Sequence, residues 1–134
     1  MSYEVVERFP DVADYRRIRA AAGLQDRSVD AAEKGLLGTW FGVSVVHENV
    51  AVGMGRIIGD GGCFFQVVDI AVIPEHQGKG LGKKVMAALT AHLEHHAPRS
   101  AYVSLIADGR AHELYRQFGF AETAPQSIGM YREF

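Results

Sequence analysis

From Leu81 onward the apolar residues Leu81, Val85, Leu89 and Leu93 recur every four positions. That is the spacing of one helix face, and it predicts a helix to about His96, with Pro98 as its stop. Cys63 to Ile73 is mostly apolar on both faces, the mark of a central strand covered on both sides. Thr39–Val46 and Val50–Ile58 are aromatic and β-branched, and His47-Glu48-Asn49 joins them tightly enough to predict a hairpin. A second turn, Gly59-Asp60-Gly61-Gly62, follows. Tyr3 to Phe9 alternates around Val5 and reads as an edge strand stopped by Pro10. Asp11 has the chemistry of a helix N-cap, Val12, Tyr15, Ile18 and Arg19 fall near helical spacing, and Gly23 ends that helix. Ser28 caps a second short helix to about Leu37, closed by Gly38. Further on, Ala101 to Ala107 reads as a strand and Asp108 as the cap of a short helix to about Phe118. Gly119 sits where a C-cap glycine belongs, and short strands are expected from Phe120 and over Ile128 to Phe134.

The predicted order is β-α-α-β-β-β-α-β-α-β-β. Hairpins come first, and the strand–helix–strand crossover then forces two parallel strands. The expected fold is a mixed α/β sheet, mostly antiparallel, of about seven strands with helices on both faces. No repeat, low-complexity segment or linker interrupts it, so residues 1–134 read as one domain.

Composition narrows the classes. Hydrophobic residues make up 48% and charged residues 22% of 134, enough for a core without disulfide or metal. Cys63 is the single cysteine, which fits a reducing compartment. A net charge of -2 argues against nucleic acid as a partner. The N-terminus lacks an apolar signal-peptide stretch and no window reaches the length of a membrane span. The expectation is a soluble, cytoplasmic protein without membrane association.

The chemistry concentrates in Gln77-Gly78-Lys79-Gly80-Leu81-Gly82-Lys83, between the central strand and the helix. Three alternating glycines let a backbone bend sharply and approach a ligand closely. Free N–H groups and the helix dipole favour an anion there, and Lys79 and Lys83 add full charge. The size of the turn suits a diphosphate. A Rossmann fingerprint fails, because Lys83 or Val85 stands where its third glycine belongs and three strands precede the turn. A Walker A loop fails as well, since position 77 is Gln and Lys84 follows Lys83. The pattern Q/R-x-x-G-x-G/A matches at Gln77, Gly80 and Gly82.

That segment resembles the pyrophosphate-arm motif of the GNAT N-acetyltransferase superfamily. Ile70-Ala71-Val72-Ile73-Pro74-Glu75-His76-Gln77 looks like the family's fourth strand running into the arm. Asp108 to Phe120 is similar to its second signature, N-x-x-A-x-x-L-Y followed by G-F, with Ala111, Leu114, Tyr115, Gly119 and Phe120 matching and Asp108 in place of Asn. The resemblance implies a V-shaped splay between the fourth and fifth strands that holds acetyl-CoA. Backbone groups of Ile70, Ala71 and Val72 would line the pantetheine, residues 77–83 would take the pyrophosphate, and Asp108 and Tyr115 would border the cofactor. Tyr115 matches the family's general acid, a phenol suited to protonating a thiolate late in the reaction; the bland alternative is a packing role. No metal is implied.

Other residues carry open readings. Asp69 is a carboxylate within an apolar strand, so it is either paired, with Arg56 as a candidate partner, or placed as the base. Period two puts it on the face of Val67 and Ala71. His112, three positions before Tyr115, reads as a surface histidine with a proton relay as the alternative. His92, His95 and His96 read as a solvated helix end, and Cys63 as a buried structural thiol. Glu75 and His76 border the site, while Trp40, Phe41, Phe64 and Phe65 read as core. Acceptor choice is expected to lie in residues 11–37, the hairpin loops and the C-terminal strand, with Asp14, Asp26, Asp30 and Glu33 either attracting a cation or forming a solvated face. Val52-Gly53-Met54-Gly55-Arg56 and Gly129-Met130-Tyr131 resemble a branch that includes plant-type arylalkylamine acetyltransferases. The function expected is acetyl transfer to a primary amine of a small molecule. Acetylation of protein lysines or N-termini, or a non-catalytic acyl-CoA-binding module, are the alternatives. An exposed C-terminal strand would suit a homodimer.

Overall fold

The computed structural model describes residues 2–134. Its sheet has five strands in sequence order: β1 (Glu4–Val6), β2 (Thr39–His47), β3 (Val50–Gly59), β4 (Phe64–Val72) and β5 (Tyr102–Leu105). Pairing is antiparallel from β1 through β4, and β5 joins β4 in parallel. The helices are α1 (Val12–Ala21), α2 (Val29–Gly35), α3 (Leu81–His96) and α4 (Ala111–Arg116).

Local chemistry accounts for most boundaries. Asp11 Oδ1 accepts the Asp14 N–H at 2.9 Å and Ser28 Oγ the Ala31 N–H at 3.0 Å, so both predicted N-caps form. The β2–β3 hairpin turns on Glu48 and Asn49, at φ 51° and 65°, the pair of positive values that matches strand twist. Asp60 Oδ1 accepts N–H groups from Gly62, Cys63 and Phe64, which ties the next turn and holds the Asp60 carboxyl below its usual range. Helix α4 ends on Gly119 at φ 89°, and the Phe120 N–H reaches back to Tyr115 O at 3.3 Å.

The sheet separates two apolar layers. Val43, Val45, Ile57, Phe65 and Val67 pack against Leu81, Val85, Met86, Leu89 and Leu93 of α3, with Leu114 and Tyr115 of α4 at the margin. On the other face Tyr15 and Ile18 of α1 and Ala32 of α2 cover Met54 and Ala71. The burial of these side chains is the main force holding helices to sheet.

Several expectations change. The strands expected after Phe120 do not form, so the sheet has five strands and not about seven. Residues 121–134 are exposed throughout. Alternation there marks which side chains would share a face, but a strand also needs ladder hydrogen bonds, and residues 128–134 make no backbone–backbone bond among the described residues. Phe64 is 65% exposed beside the free side of β5, unlike the buried Phe65. His92 does not end in solvent: it stacks on Phe41 at 3.7 Å and meets Trp40 edge-on at 4.9 Å. Burial foremost, then His96, pushes its pKa below the usual value. Cys63 is exposed, because it precedes the first paired residue of β4 and belongs to the Asp60 turn.

The largest departure from period two lies in β4. Met54 pairs with Ala71 and Arg56 with Val68, so Asp69 and Ile70 together oppose Gly55 in a β-bulge. Asp69 takes φ 59°. Past this point the faces exchange: Val67 packs toward α3, Asp69 and Ala71 toward α1, and Ile70 toward α3. Asp69 therefore shares a face with Ala71 but not with Val67, contrary to simple alternation. A Cβ on Gly55 would stand 2.4 Å from Val85 Cγ1 and 2.8 Å from Ile70 Cδ1, so α3 approaches closely enough to demand glycine there. Gly55→Ala is expected to cost about 1–3 kcal/mol in urea unfolding. Gly53→Ala, whose Cβ would first meet Val45 Cγ2 at 3.2 Å, should cost less.

Candidate active site

Strands β4 and β5 pair only from Phe64↔Tyr102 to Val67↔Leu105. Beyond Val67 the β5-facing side of β4 has no strand partner, so the two strands splay. The Ile73 N–H donates to Val52 O at 2.9 Å, toward β3. Alternation then turns the backbone of Val72 and Ile70 to the open side and that of Ala71 to β3. Of the three residues expected along the pantetheine, Ile70 and Val72 thus offer backbone groups to the splay, while Ala71 is buried against α1.

At the mouth of the splay a 3₁₀ turn, Pro74–His76, leads into the glycine turn. Gln77 Nε2 donates to Val72 O at 2.8 Å, so the arm residue ties the turn to the end of β4. Tyr3 Oη lies 2.7 Å from His76 Nδ1 and its ring stacks on His47 at 4.6 Å, which anchors the turn to β1 and β2. His76 is thereby a positioning residue more than a free border residue. Gly78 and Gly80 adopt φ 77° and 76°, and no atom lies within 4 Å of a Cβ built on either. Their requirement for glycine comes from backbone conformation and from open space where a ligand would approach.

Gly80 caps α3 without a side-chain acceptor, and the first intrahelical bond is Lys84 N–H to Gly80 O at 3.1 Å. The N–H groups of Leu81, Gly82 and Lys83 therefore face outward at the positive end of a 16-residue helix. The Leu81 side chain is buried in the core, so only its backbone belongs to the site. Lys79 and Lys83 flank the turn. These groups fit a diphosphate: donors without partners, added positive charge and no side chain in the way.

The second signature comes to the same place. A Cβ on Gly82 would lie 3.8 Å from Leu114 Cδ2, so the start of α3 packs against α4. One turn of α4 carries His112, Leu114 and Tyr115. Tyr115 is half-buried and its hydroxyl makes no hydrogen bond among the described residues. Burial first, and the nearby Asp108 charge second, push its pKa above the usual phenol value. Asp108 does not cap α4 through its side chain; its carbonyl accepts the Ala111 N–H at 3.0 Å. Tyr115 and His112 line a cavity of about 690 Å³ with Ser104 and Ile106 from the end of β5. His112 Nδ1 lies 3.2 Å from Gly109 O, its own helix entry.

Asp69 has both carboxylate oxygens occupied. Arg19 Nη1 donates to Oδ1 and Arg56 Nε to Oδ2, each at 2.7 Å, and Tyr15 Oη lies 3.1 and 3.2 Å from the two oxygens. The three charged side chains are 6–10% exposed. Arg19 also donates to Gln25 O, and Arg56 to Gly35 O and Thr39 Oγ1, so both guanidiniums bond beyond the carboxylate. Arg56 was legible as a partner from the sequence; Arg19 and Tyr15 were not, because their helix carries no sign of which strand it will cover. Desolvation, ahead of the Asp69 charge, raises the Tyr15 pKa above its usual value. This arrangement supports the structural reading of Asp69.

The acidic residues of the helical region form exposed pairs, Asp14–Arg17, Asp26–Arg16 and Asp30–Lys34. Among the described residues no three His, Cys, Asp or Glu side chains gather as metal ligands. No helix among them is long and apolar enough to cross a membrane.

A strand splay, a glycine turn at a helix start and an unbonded tyrosine on the adjoining helix are thus brought together at one end of the sheet. The chain belongs to the GNAT acetyltransferases: the model of the acetyltransferase (GNAT) domain matches residues 39–122. It is a transferase enzyme of a family that uses acetyl-CoA. A protein of unknown function from meticillin-resistant Staphylococcus aureus, a probable acetyltransferase, has 41% identity and a TM-score of 0.94, covering 99% of this chain and all of that one. The GCN5-related N-acetyltransferase 2, chloroplastic, of Arabidopsis thaliana is 34% identical over 86 residues, 63% of this chain. The chain spans only 32% of that relative's length. A GNAT family acetyltransferase from Brucella melitensis, in complex with acetyl-CoA, shares the fold at 19% identity and a TM-score of 0.66, over 90% of this chain and 83% of that one.

Asp69→Asn keeps a side chain that tolerates positive φ but removes the charge between two guanidiniums. It is expected to lower unfolding free energy by about 3–5 kcal/mol, read from the denaturant midpoint.

Proposed function

We propose that this enzyme transfers the acetyl group of acetyl-CoA directly to a primary amine of a small molecule, with Tyr115 as general acid. The observation that carries this reading is the Tyr115 hydroxyl, unbonded, half-buried and next to the helix that begins at the diphosphate turn. Bound acetyl-CoA would supply the activated thioester. The N–H groups of residues 81–83 would hold its diphosphate, with Gln77, Gly78, Lys79 and Gly80 shaping the turn around it. Asp108 would border the donor near Tyr115. Backbone N–H groups of Ile70 or Val72 would polarise the thioester carbonyl, the physics of an oxyanion hole.

The amine nitrogen attacks the carbonyl carbon, the carbon–sulfur bond breaks, and the departing thiolate takes the proton of Tyr115. Its raised pKa keeps the phenol protonated until that charge develops. With Asp69 held in ion pairs, its role is to position the β4 bulge, and the amine gives its proton to solvent. The α1–α2 connection, expected from the sequence to bear on acceptor choice, is short and pinned, by Arg19 on Gln25 O and Arg16 Nε on Arg27 O at 2.8 Å. A fixed, compact connection supports a small acceptor over an extended polypeptide. Residues 52–56, part of the resemblance to the arylalkylamine branch, are largely committed to packing and so carry little about the acceptor.

Thiol release from acetyl-CoA across a panel of amines and peptides tests the reading. Tyr115→Phe is expected to lower kcat by about 10²–10⁴ and to leave acetyl-CoA affinity nearly unchanged. An acid works only while protonated, so the wild-type rate should fall as pH rises through the raised pKa of Tyr115, and the variant should lack that limb. An unchanged rate and pH profile would remove the acid assignment, and saturable binding without turnover on any acceptor would favour a non-catalytic acyl-CoA-binding module. Turnover confined to peptides would move the acceptor to protein amines.

Gly80→Val puts a β-branched residue at φ 76° over the turn. Acetyl-CoA affinity measured by calorimetry should drop below detection in a protein that still folds; retained affinity would displace the diphosphate from this turn.

A further inference from the structure

We propose that Tyr3 and His76 hold the glycine turn in its binding shape before acetyl-CoA arrives, so that the segment leading into β1 sets the affinity for the donor. The inference rests on the turn being the diphosphate site. It adds a pair of positioning residues, 73 positions apart along the chain.

The turn has few supports of its own. Gln77 to Gly80 are exposed, and no atom lies within 4 Å of a Cβ built on Gly78 or Gly80. Glycine takes either sign of φ readily, so the values of 77° and 76° are not enforced by the residues themselves. The bonds from His76 N–H to Ile73 O, Gln77 N–H to Pro74 O and Gln77 Nε2 to Val72 O all join near neighbours in sequence. Such bonds shape the turn but travel with it. Among the described residues, the bond between Tyr3 Oη and His76 Nδ1, at 2.7 Å, is the one that ties residues 74–80 to a distant part of the chain.

The tether is itself rooted. Tyr3 directly precedes β1, and the register Glu4↔Val46 sets it across from His47, the last residue of β2. The two rings stack with centroids 4.6 Å apart, and His47 Nδ1 lies 2.8 Å from Ser2 O. Tyr3 also packs on the core beneath α3. The His76 ring meets Tyr3 edge-on at 5.5 Å and stands 5.1 Å from His47. Three rings, from the start of β1, the end of β2 and the turn, thus form one cluster. At the other end of the turn Leu81 is buried in the same core. Both ends of the glycine segment are therefore referred to one packed body, and only Gln77 to Gly80 lie between.

A ligand binds more weakly in proportion to the time its site spends in other shapes. Losing one hydrogen bond of ordinary net strength changes that fraction by about three- to tenfold. The cost falls on donor affinity, because the variant must be ordered by the ligand itself.

Calorimetry with acetyl-CoA on the full chain tests the pair. Tyr3→Phe removes the hydroxyl and keeps the ring, and should raise the dissociation constant about three- to tenfold with an unchanged urea midpoint. His76→Ala should do the same. The double variant should bind no more weakly than His76→Ala, because the two residues act through one bond. His76→Asn returns a polar atom near the place of Nδ1 and should recover most of the loss, which a merely space-filling role of the imidazole would not allow. Without ligand, hydrogen exchange at the His76 and Gln77 N–H groups should quicken in Tyr3→Phe, while exchange at Val85 and Leu89 in α3 should not. Unchanged affinity in Tyr3→Phe, or additive losses in the double variant, overturns the proposal. If the midpoint falls in Tyr3→Phe, the exchange comparison decides. Retained affinity in Gly80→Val overturns the diphosphate reading and the pair with it, whereas lost affinity there beside unchanged affinity in Tyr3→Phe removes the pair alone.

Discussion

A buried carboxylate between two guanidiniums organises this fold. Asp69 sits at the one place where β4 departs from regular pleating, and its charge is compensated from α1 by Arg19 and from β3 by Arg56. Each guanidinium continues to backbone carbonyls, Gln25 on one side and Gly35 on the other, so a single charge fastens the whole helical layer to the centre of the sheet. Such a cluster costs desolvation and is stable only when every member is satisfied. The bulge it accompanies has a second consequence: it exchanges the faces of the residues that follow. Ile70 turns toward α3, and Gly55 must then be glycine for the helix to come close.

The active-site geometry follows from that placement. Strand β4 continues beyond Val67 while β5 does not stay beside it, and the gap exposes backbone groups of Ile70 and Val72. Helix α3 packs on β4 with its start at the open end, which aims its free N–H groups toward the mouth of the gap. Helix α4 packs on the first turn of α3 near Gly82, and this brings Tyr115 to the same mouth. The glycine turn and the tyrosine are distant in sequence and adjacent in space because one helix start touches both.

Much of the site was legible in the sequence for a local reason. Gly78 and Gly80 meet a backbone requirement within a few residues, and the helix start after them leaves N–H groups free whatever surrounds it. Signals of that kind survive without tertiary information. The role open to Asp69 was not legible, because a carboxylate in an apolar strand implies compensation without naming its source. The same holds for Cys63, His92 and Phe64, whose exposure depends on which elements end beside them.

By itself the sequence determined the element order through β5, the caps at Asp11, Ser28 and Gly119, the hairpin turn and the glycine turn before α3. These are set by short-range hydrogen bonds and by hydrophobic period, which a chain carries with it. Tertiary structure alone decided the face of Asp69, since a one-residue bulge inverts alternation and leaves no trace in residue type. It also decided the strand count: Ile128 to Phe134 has the pattern of a strand, but pairing requires an edge, and an edge belongs to the assembled sheet.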